Sequence, residues 1–477
     1  MAPCKNKPMI PQTPDLSRRA FVRQACCAAV GTTGLLSALG QLRMIGAVAG
    51  DSLPRNTAAA VPADYKALVC LFLQGGIDST SLLIPSDPSS FSAYSTARAD
   101  LAVSPAGLLP ISPRSYSDGR NYSLHPSAPH LQSLFAAQKL AILANVGTLV
   151  RPTTLAQYQA GTNLPPQLFS HSDQALQWQS SIPDQPFDTG WGGRLADLVD
   201  AQNSNNQISM SITLNGANSF QRGSAVTQYA INSSGVSSLS NTGSLSATPG
   251  VSTARSNGIR SLMRSTQENA LAAAFGGITK ASIDDGDLLG TVLRTAPALT
   301  TTFPGTGTAA RLSMVAKLIS ISQALGLKRQ IFFVQLGGWD MHGSQNSAYG
   351  PLLAELSGAM NAFYNATVEL GVANQVTTFT ASDFGRTYVP NAGGTDHGWG
   401  NHQLIMGGTV RGGDIYGQMP SLAVGGNDDT GRGRWLPSTS VDEYNATLAT
   451  WFGVSAGNLS TVLPNIDRFA KPNLGFL

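Results

Sequence analysis

The chain has 477 residues, 42% hydrophobic and 12% charged, with 50 glycines and 27 prolines. That length allows one large α/β domain or two, and the low charge with abundant Gly, Pro, Ser and Asn implies long loops. The formal charge of +3 arises at one end. The first 49 residues carry six basic side chains and one acidic one, and the remaining 24 basic and 26 acidic side chains net −2. This excludes an electrostatic case for a nucleic-acid partner.

Ser17-Arg18-Arg19-Ala20-Phe21-Val22 is a twin-arginine pattern, followed by a weakly apolar stretch, Ala25 to Leu42, and by small residues at Ala47-Val48-Ala49. Together they predict a signal peptide over residues 1–49 that directs the chain to the twin-arginine export machinery. The expected location is therefore periplasmic or secreted. Cys4, Cys26 and Cys27 would leave with the signal. Cys70 remains, so the mature chain has no pair for an intrachain disulfide. No later run reaches the roughly 20 apolar residues of a membrane span.

Residues 50–64 are rich in Ala and Pro and read as a linker to a single domain over 65–477. Lys66 to Leu73 is a continuous apolar run of strand length, expected to be buried on both faces as in a parallel sheet. It ends in Gln74-Gly75-Gly76-Ile77-Asp78, where the glycines let the chain turn and bring Asp78 to the carboxyl edge of the sheet. A long Pro- and Ser-containing loop is expected next, followed by a helix from Ala128 to Gln138 and a strand from Leu140 to Val146. Phe169-Ser170-His171-Ser172-Asp173 opens a helix to about Trp178, and Gly190-Trp191-Gly192-Gly193-Arg194 opens another. Residues 203–255 are polar and read as a surface insertion, with one strand over Gln207 to Leu214. Helical periodicity returns over 256–274 and 309–327. A strand over Ile331 to Leu336, a helix over 349–370 and a strand over 375–380 follow. A last helix spans Val441 to Phe452.

Chemistry concentrates between 331 and 402. The strand at 331 ends in Gly337-Gly338 and delivers Asp340 and His342, a carboxylate and an imidazole suited to Zn²⁺, Mn²⁺ or a similar ion. A capping Asp and a solvent-facing His are the bland alternative. Asp383 also follows an apolar strand directly, so three strands each deliver an aspartate to one edge. Crowded carboxylates repel unless a cation offsets them. Arg386 suits an oxyanion or a carboxylate partner. Asp396-His397 and His402 supply further imidazoles from a glycine-rich loop. Ser170, at a helix start, is a candidate nucleophile or simply an N-cap.

Gln74-Gly75-Gly76-Ile77-Asp78, Ser170-His171, Gly337 to His342, Ser382-Asp383-Phe384-Gly385-Arg386-Thr387 and Gly394-Thr395-Asp396-His397-Gly398 resemble an exported bacterial family, "domain of unknown function 1501". That family is grouped with the alkaline phosphatase and sulfatase superfamily. The resemblance implies an alkaline-phosphatase-like α/β fold with a largely parallel central sheet. It implies a metal set of Asp78, Asp340, His342 and Asp383, with the late histidine from His397 or His402. It also implies a nucleophile at Ser170, or a water in its place, and an oxyanion role for Arg386. The metal would be Zn, Mn, Mg or Ca, and the activity hydrolysis of an anionic phosphate or sulfate ester. The alternative is a non-catalytic exported protein of the same fold that binds envelope glycan or a partner protein. The chain departs from the superfamily in spacing Asp340 and His342 as Asp-x-His and in separating Asp383 from Asp396-His397. It also lacks the Cys-x-Pro-x-Arg signature of formylglycine sulfatases.

Overall fold

The computed structural model describes residues 61, 63–204, 208–236, 251–265 and 270–477; the expected signal peptide and most of the expected linker lie outside the described residues. The main sheet comprises β1 (Lys66–Leu73), β2 (Leu140–Gly147), β3 (Ser211–Thr213), β4 (Tyr229–Ala230), β5 (Arg329–Leu336), β6 (Val376–Ser382), β7 (Asn401–Gly407), β8 (Ile415–Gly417) and β9 (Thr439–Ser440). Their order in space is β8-β2-β7-β6-β1-β5-β3-β4, and β9 also pairs with β2. All neighbours run parallel except where β7 lies antiparallel between β2 and β6. The fold is thus mixed α/β with a mostly parallel central sheet.

Strand β1 sits at the centre because both its faces are apolar. Every residue from Ala67 to Leu73 is buried, which requires a layer on each side of the sheet. Two groups of helices supply those layers. Gly307–Ser320, Gln345–Glu369 and Pro129–Ala136 pack on one another, and His171–Ser180, Trp191–Val199 and Val441–Phe452 belong to the second group. Phe379 of β6 lies among the rings of Trp191, Phe220 and Tyr444, with centroids 5.7, 6.2 and 5.9 Å away.

Four expectations are corrected. The stretch read as a long loop after Asp78 contains a helix, Pro88–Arg98, and a three-stranded sheet of Leu83–Pro85, Tyr122–Leu124 and Leu109–Ile111. The helix has little apolar periodicity. Its ends set it instead: Pro88 occupies the first turn and Asp87 accepts from the Ser90 N–H at 2.9 Å. Second, the polar stretch at 203–255 is not all surface. Ile208, Met210, Ile212, Phe220 and Ile231 are core residues, and β3 and β4 extend the main sheet beyond β5. Its remainder at 237–250 lies outside the described residues. Third, His402 lies in a strand, not a loop. Polar Asn401, His402 and Gln403 masked a fully buried β7, in which Gln403 bonds Asn401 and Thr380 at 2.6 Å each. The periodic segment expected at 256–274 falls instead on two helices, Val251–Arg264 and Ala270–Leu293. No helix among the described residues is long and apolar enough to cross a membrane.

Phe379 is 1% exposed, so removing its ring leaves a cavity that its three aromatic neighbours cannot fill. Phe379→Ala should destabilise the protein by about 3–5 kcal/mol, read as a lower urea midpoint. An unchanged midpoint would show that this aromatic cluster does not hold the second helical layer to the sheet.

Candidate metal centre

Strands β1, β5 and β6 end level: Leu73 pairs with both Leu336 and Ser382. Three loops therefore leave the sheet at one place and must pass close together. Gly75 makes this possible. Its φ is +117°, and a Cβ there would lie 2.4 Å from the Asp340 amide nitrogen. Only glycine takes this backbone shape at this approach. The Gly75 N–H donates to both Asp383 carboxylate oxygens at 3.3 Å, and its carbonyl accepts from Arg386 Nη1 at 3.2 Å.

The side chains that meet above these loops are His171, Asp340, His342, Asp383 and His397. Asp340 Oδ1 accepts from Arg386 Nη1 at 2.6 Å and lies 3.0 Å from His342 Nε2 and 3.4 Å from His397 Nε2. Its Oδ2 lies 3.3 Å from His171 Nε2. His171 Nδ1 is 2.7 Å from Asp383 Oδ2, and His397 Nδ1 is 2.6 Å from the Phe169 carbonyl. A carbonyl and a carboxylate only accept, so both Nδ1 atoms carry the proton in these bonds. In their neutral forms both rings then present an Nε2 lone pair, His171 toward Asp340 and His397 toward Asp340 and the His342 Nε2 2.9 Å away, the orientation that metal-binding imidazoles take.

Phe169 is itself fixed. Its φ is +71°, its N–H donates to Gln174 Oε1 at 2.6 Å, and Arg434 stacks over its ring at 4.8 Å. Arg434 Nε also donates to the His397 carbonyl at 2.7 Å, so one guanidinium secures both partners of the His397 bond.

The chemistry of these donors fits a divalent cation. Among the described residues, His171, Asp340 and His397 each offer one ligand atom, all within 4.8 Å of one another. His171 Nε2 is buried yet lacks a hydrogen-bond partner among the described residues, although Asp340 Oδ2 is only 3.3 Å away. The proximity is real but the angle does not make a hydrogen bond, and a cation between the two atoms would satisfy both.

The electrostatics agree. The hydrogen bond that His171 donates to Asp383 raises the pKa of His171, opposed by burial and helped by the charges of Asp383 and Asp340. A bound cation would displace that proton. Burial lowers the pKa of His397, which favours the neutral, ligating ring. Burial disfavours the Asp340 carboxylate, but the hydrogen bond and charge of Arg386 overcome it and hold the group below its usual value. Asp340 and His342 are 44% and 47% exposed, so the centre opens to solvent.

Not all the expected residues join this group. Asp78 is buried and turned to other donors: Arg98, Thr80 Oγ1 at 2.7 Å, Ser81 Oγ at 2.8 Å and Gln345 Nε2 at 2.5 Å. Burial raises its pKa, but Arg98 and the two hydroxyls outweigh that and keep it ionised. Ser170 is the N-cap of its helix, and its Oγ is engaged by Asp173 at 2.5 Å and Ser172 at 3.1 Å. Arg386 is buried and spends its donors on Asp340, Gly75 and Thr395, holding a carboxylate and not facing an open site. Asp396 accepts from Asn391 at 2.6 Å, pairs with Arg432, and lies 3.4 Å from His342 Nδ1.

His402 stays inside β7, where its Nδ1 accepts the Asn145 N–H at 3.0 Å and its Nε2 has no partner among the described residues. His171 is the residue sequence reasoning passed over. In the Ser170-His171 pair the spacing to Asp173 marks Ser170 as a helix start, which leaves His171 as the side chain free for the centre.

Two outcomes follow from this geometry. Gly75→Ala should cost cation affinity first, because the added methyl displaces the Asp340 backbone. Wild-type affinity by chelator competition would refute the close approach. Burial lowers the pKa of His402 to about 4, so the unfolded state, with a His near 6.5, binds its proton first. The sign is then set: the contribution is complete above pH 6.5 and is lost as pH falls toward 4, amounting to roughly 3 kcal/mol. Denaturant titrations across this window should show that loss, and His402→Gln should flatten it.

A family model described as "Protein of unknown function (DUF1501)" matches residues 65–436. No curated protein matches the chain by sequence. Among solved structures the chain is similar to the lipoteichoic acid synthase LtaP from Listeria monocytogenes, at 7% identity and a TM-score of 0.35, covering 90% of this chain and 81% of that one. It is also similar to the C-terminal periplasmic domain of EcEptC from Escherichia coli, a complex with Zn, at 10% identity and a TM-score of 0.31, covering 75% and 77%. A third is the sulfatase PsFucS1 from Pseudoalteromonas sp., at 9% identity and a TM-score of 0.30, covering 91% and 72%. The family match spans the β1 loop, the His171 helix and the Asp340, Asp383 and His397 loops in one run, and the chain belongs to the DUF1501 family.

Proposed function

We propose that this protein is a metal-dependent hydrolase of a phosphate or sulfate ester, of alkaline-phosphatase and sulfatase type, exported by the twin-arginine route. The observation that carries the reading is the orientation of His171 and His397. Each is tied at Nδ1 to an acceptor and offers Nε2 to Asp340. A divalent cation there (Zn, Mn, Mg or Ca) would supply Lewis-acid polarisation of an ester oxygen and acidify an attacking water.

The chain's own residues account for the rest. Asp340, His171 and His397 would hold the cation, and His342, 3.0 Å from Asp340, would add a further ligand on the solvent side. Asp383 fixes the His171 ring, and Arg386 fixes Asp340. The cation and Arg386 together outweigh the charges of Asp340 and Asp383, which favours an anionic substrate. The nucleophile is a water or Ser170, which is next to His171 in the chain and would first have to leave Asp173 and Ser172.

The decisive experiment is metal analysis of the mature protein, with a panel of phosphate and sulfate esters run alongside. Bound metal and hydrolysis are expected, both lost on chelation. His171→Ala, His397→Ala and Asp340→Asn should each lower activity by more than the 10–100-fold typical of residues that only support metal ligands. Ser170→Ala should abolish turnover if the serine attacks and leave most of it if water does. A metal-free protein, inactive with added Zn²⁺, Mn²⁺, Mg²⁺ or Ca²⁺, would sink the reading and favour a non-catalytic glycan- or protein-binding role. Replacing Arg18 and Arg19 together by Lys should retain the precursor in the cytoplasm; normal export of that variant would exclude the twin-arginine route.

A further inference from the structure

Asp78 and Asp340 leave neighbouring strands at the same edge, yet they do different work. Asp78 is enclosed, with Arg98 and two hydroxyl side chains on its oxygens. The helix Gln345–Glu369 reaches it twice from its first turns. Gln345 Nε2 donates to the Asp78 carboxylate at 2.5 Å, and the Tyr349 hydroxyl donates to the Asp78 carbonyl at 2.7 Å. From Gln345 a line of hydrogen bonds continues to the metal centre. Thr395 Oγ1 donates to Gln345 Oε1 at 2.8 Å. Arg386 Nε donates to Thr395 Oγ1 at 3.2 Å, and Arg386 Nη1 donates to Asp340 Oδ1 at 2.6 Å. Gln345, Thr395 and Arg386 are all buried, at 2%, 0% and 2% exposure.

The polarity of this line has one solution. An ionised Asp78 only accepts, so it sets the Gln345 amide with its NH₂ group inward and its oxygen outward. The outward oxygen must receive the one hydroxyl proton of Thr395. Thr395 then has only lone pairs left for Arg386, which must donate. Three of the four remaining Arg386 N–H groups go to the Gly75 and Thr395 carbonyls and to Asp340. Reversing any member would place two donors or two acceptors face to face in a buried site, which costs about 1–3 kcal/mol.

We infer that Gln345 is a positioning residue: it couples the buried Asp78–Arg98 pair to the metal-facing carboxylate of Asp340 through Thr395 and Arg386. Asp78 thus acts on the centre at a distance and not as a ligand. The inference rests on the functional reading only in taking Asp340 to face a cation.

The test uses the full mature protein, stripped of metal and titrated with Co²⁺ against a chelator, with the visible absorption of the bound ion recorded. Gln345→Leu and Thr395→Val should each weaken Co²⁺ binding by about 10–100-fold and change the absorption bands, because a loosened Arg386 lets Asp340 shift. The double variant should bind no more weakly than the worse single one, since both break the same line. Wild-type affinity and spectrum in both single variants, or losses that simply multiply in the double variant, would overturn the inference. Should Gln345→Leu fail to fold, Thr395→Val, which replaces one hydroxyl by a methyl, decides alone. If the wild type takes up no Co²⁺, the functional reading fails and the coupling is judged on metal-free crystal structures. Displacement of Asp340 from Arg386 in the Thr395→Val variant supports it, and an intact 2.6 Å contact rejects it.

Discussion

The level pairing of β1 with β5 on one side and β6 on the other is the constraint on which the site depends. Leu73 sits opposite both Leu336 and Ser382, so the three following loops start from one height. A shift of one residue in either pairing would turn every side chain to the other face and separate the loops. Level starts bring crowding, and Gly75 relieves it by placing bare backbone where a side chain would strike Asp340. The same glycine then serves as a bonding hub, with its N–H on Asp383 and its carbonyl on Arg386. Local chain geometry and the electrostatics of the site therefore have one cause.

Three aspartates at one edge would repel one another in a dry environment, and the fold gives each a different answer. Asp78 has a buried guanidinium, Arg98, from the helix Pro88–Arg98. Asp340 has Arg386 and remains half open to solvent. Asp383, 1% exposed, has two backbone contacts from Gly75 and the His171 ring. A buried ion pair adds little net stability, because desolvating both charges offsets most of their attraction. Its effect is on orientation: once Arg98 holds Asp78, the donors around Asp78 have settled directions, and those directions extend to Arg386 and Asp340. The histidines are handled alike, with Asp383 behind His171 and the Phe169 carbonyl behind His397.

Much of this was legible in the residues. Apolar runs gave strands at 66–73, 140–146, 331–336 and 375–380, close to the observed 66–73, 140–147, 329–336 and 376–382, and glycine pairs after two of them marked sharp turns at the carboxyl edge. The aspartates following those runs had to lie near one edge once the strands were parallel. Residues whose placement depends on distant partners were harder to read. Ser and Asn dominate the segment around Ile212, so its core role shows only when β3 docks beside β5. Helix Pro88–Arg98 has caps but no apolar stripe, and nothing local announces that Arg98 will meet Asp78. His402 looked like one more loop imidazole because its polar neighbours hid a buried strand.

The sequence by itself determined an α/β chain of the DUF1501 type, a set of acidic and imidazole side chains close to strand ends, and the glycines that let those ends approach. These follow from short-range rules: periodicity, turn chemistry and the reach of a few residues. Tertiary structure alone decided which of those side chains share a centre. It drew His171 in from a helix more than 160 residues before Asp340, and it assigned Asp78 to Arg98 and His402 to the interior of β7. The physical reason is that a carboxylate or an imidazole takes its role from the donors and acceptors within about 3 Å, and the chain brings those from anywhere in its length.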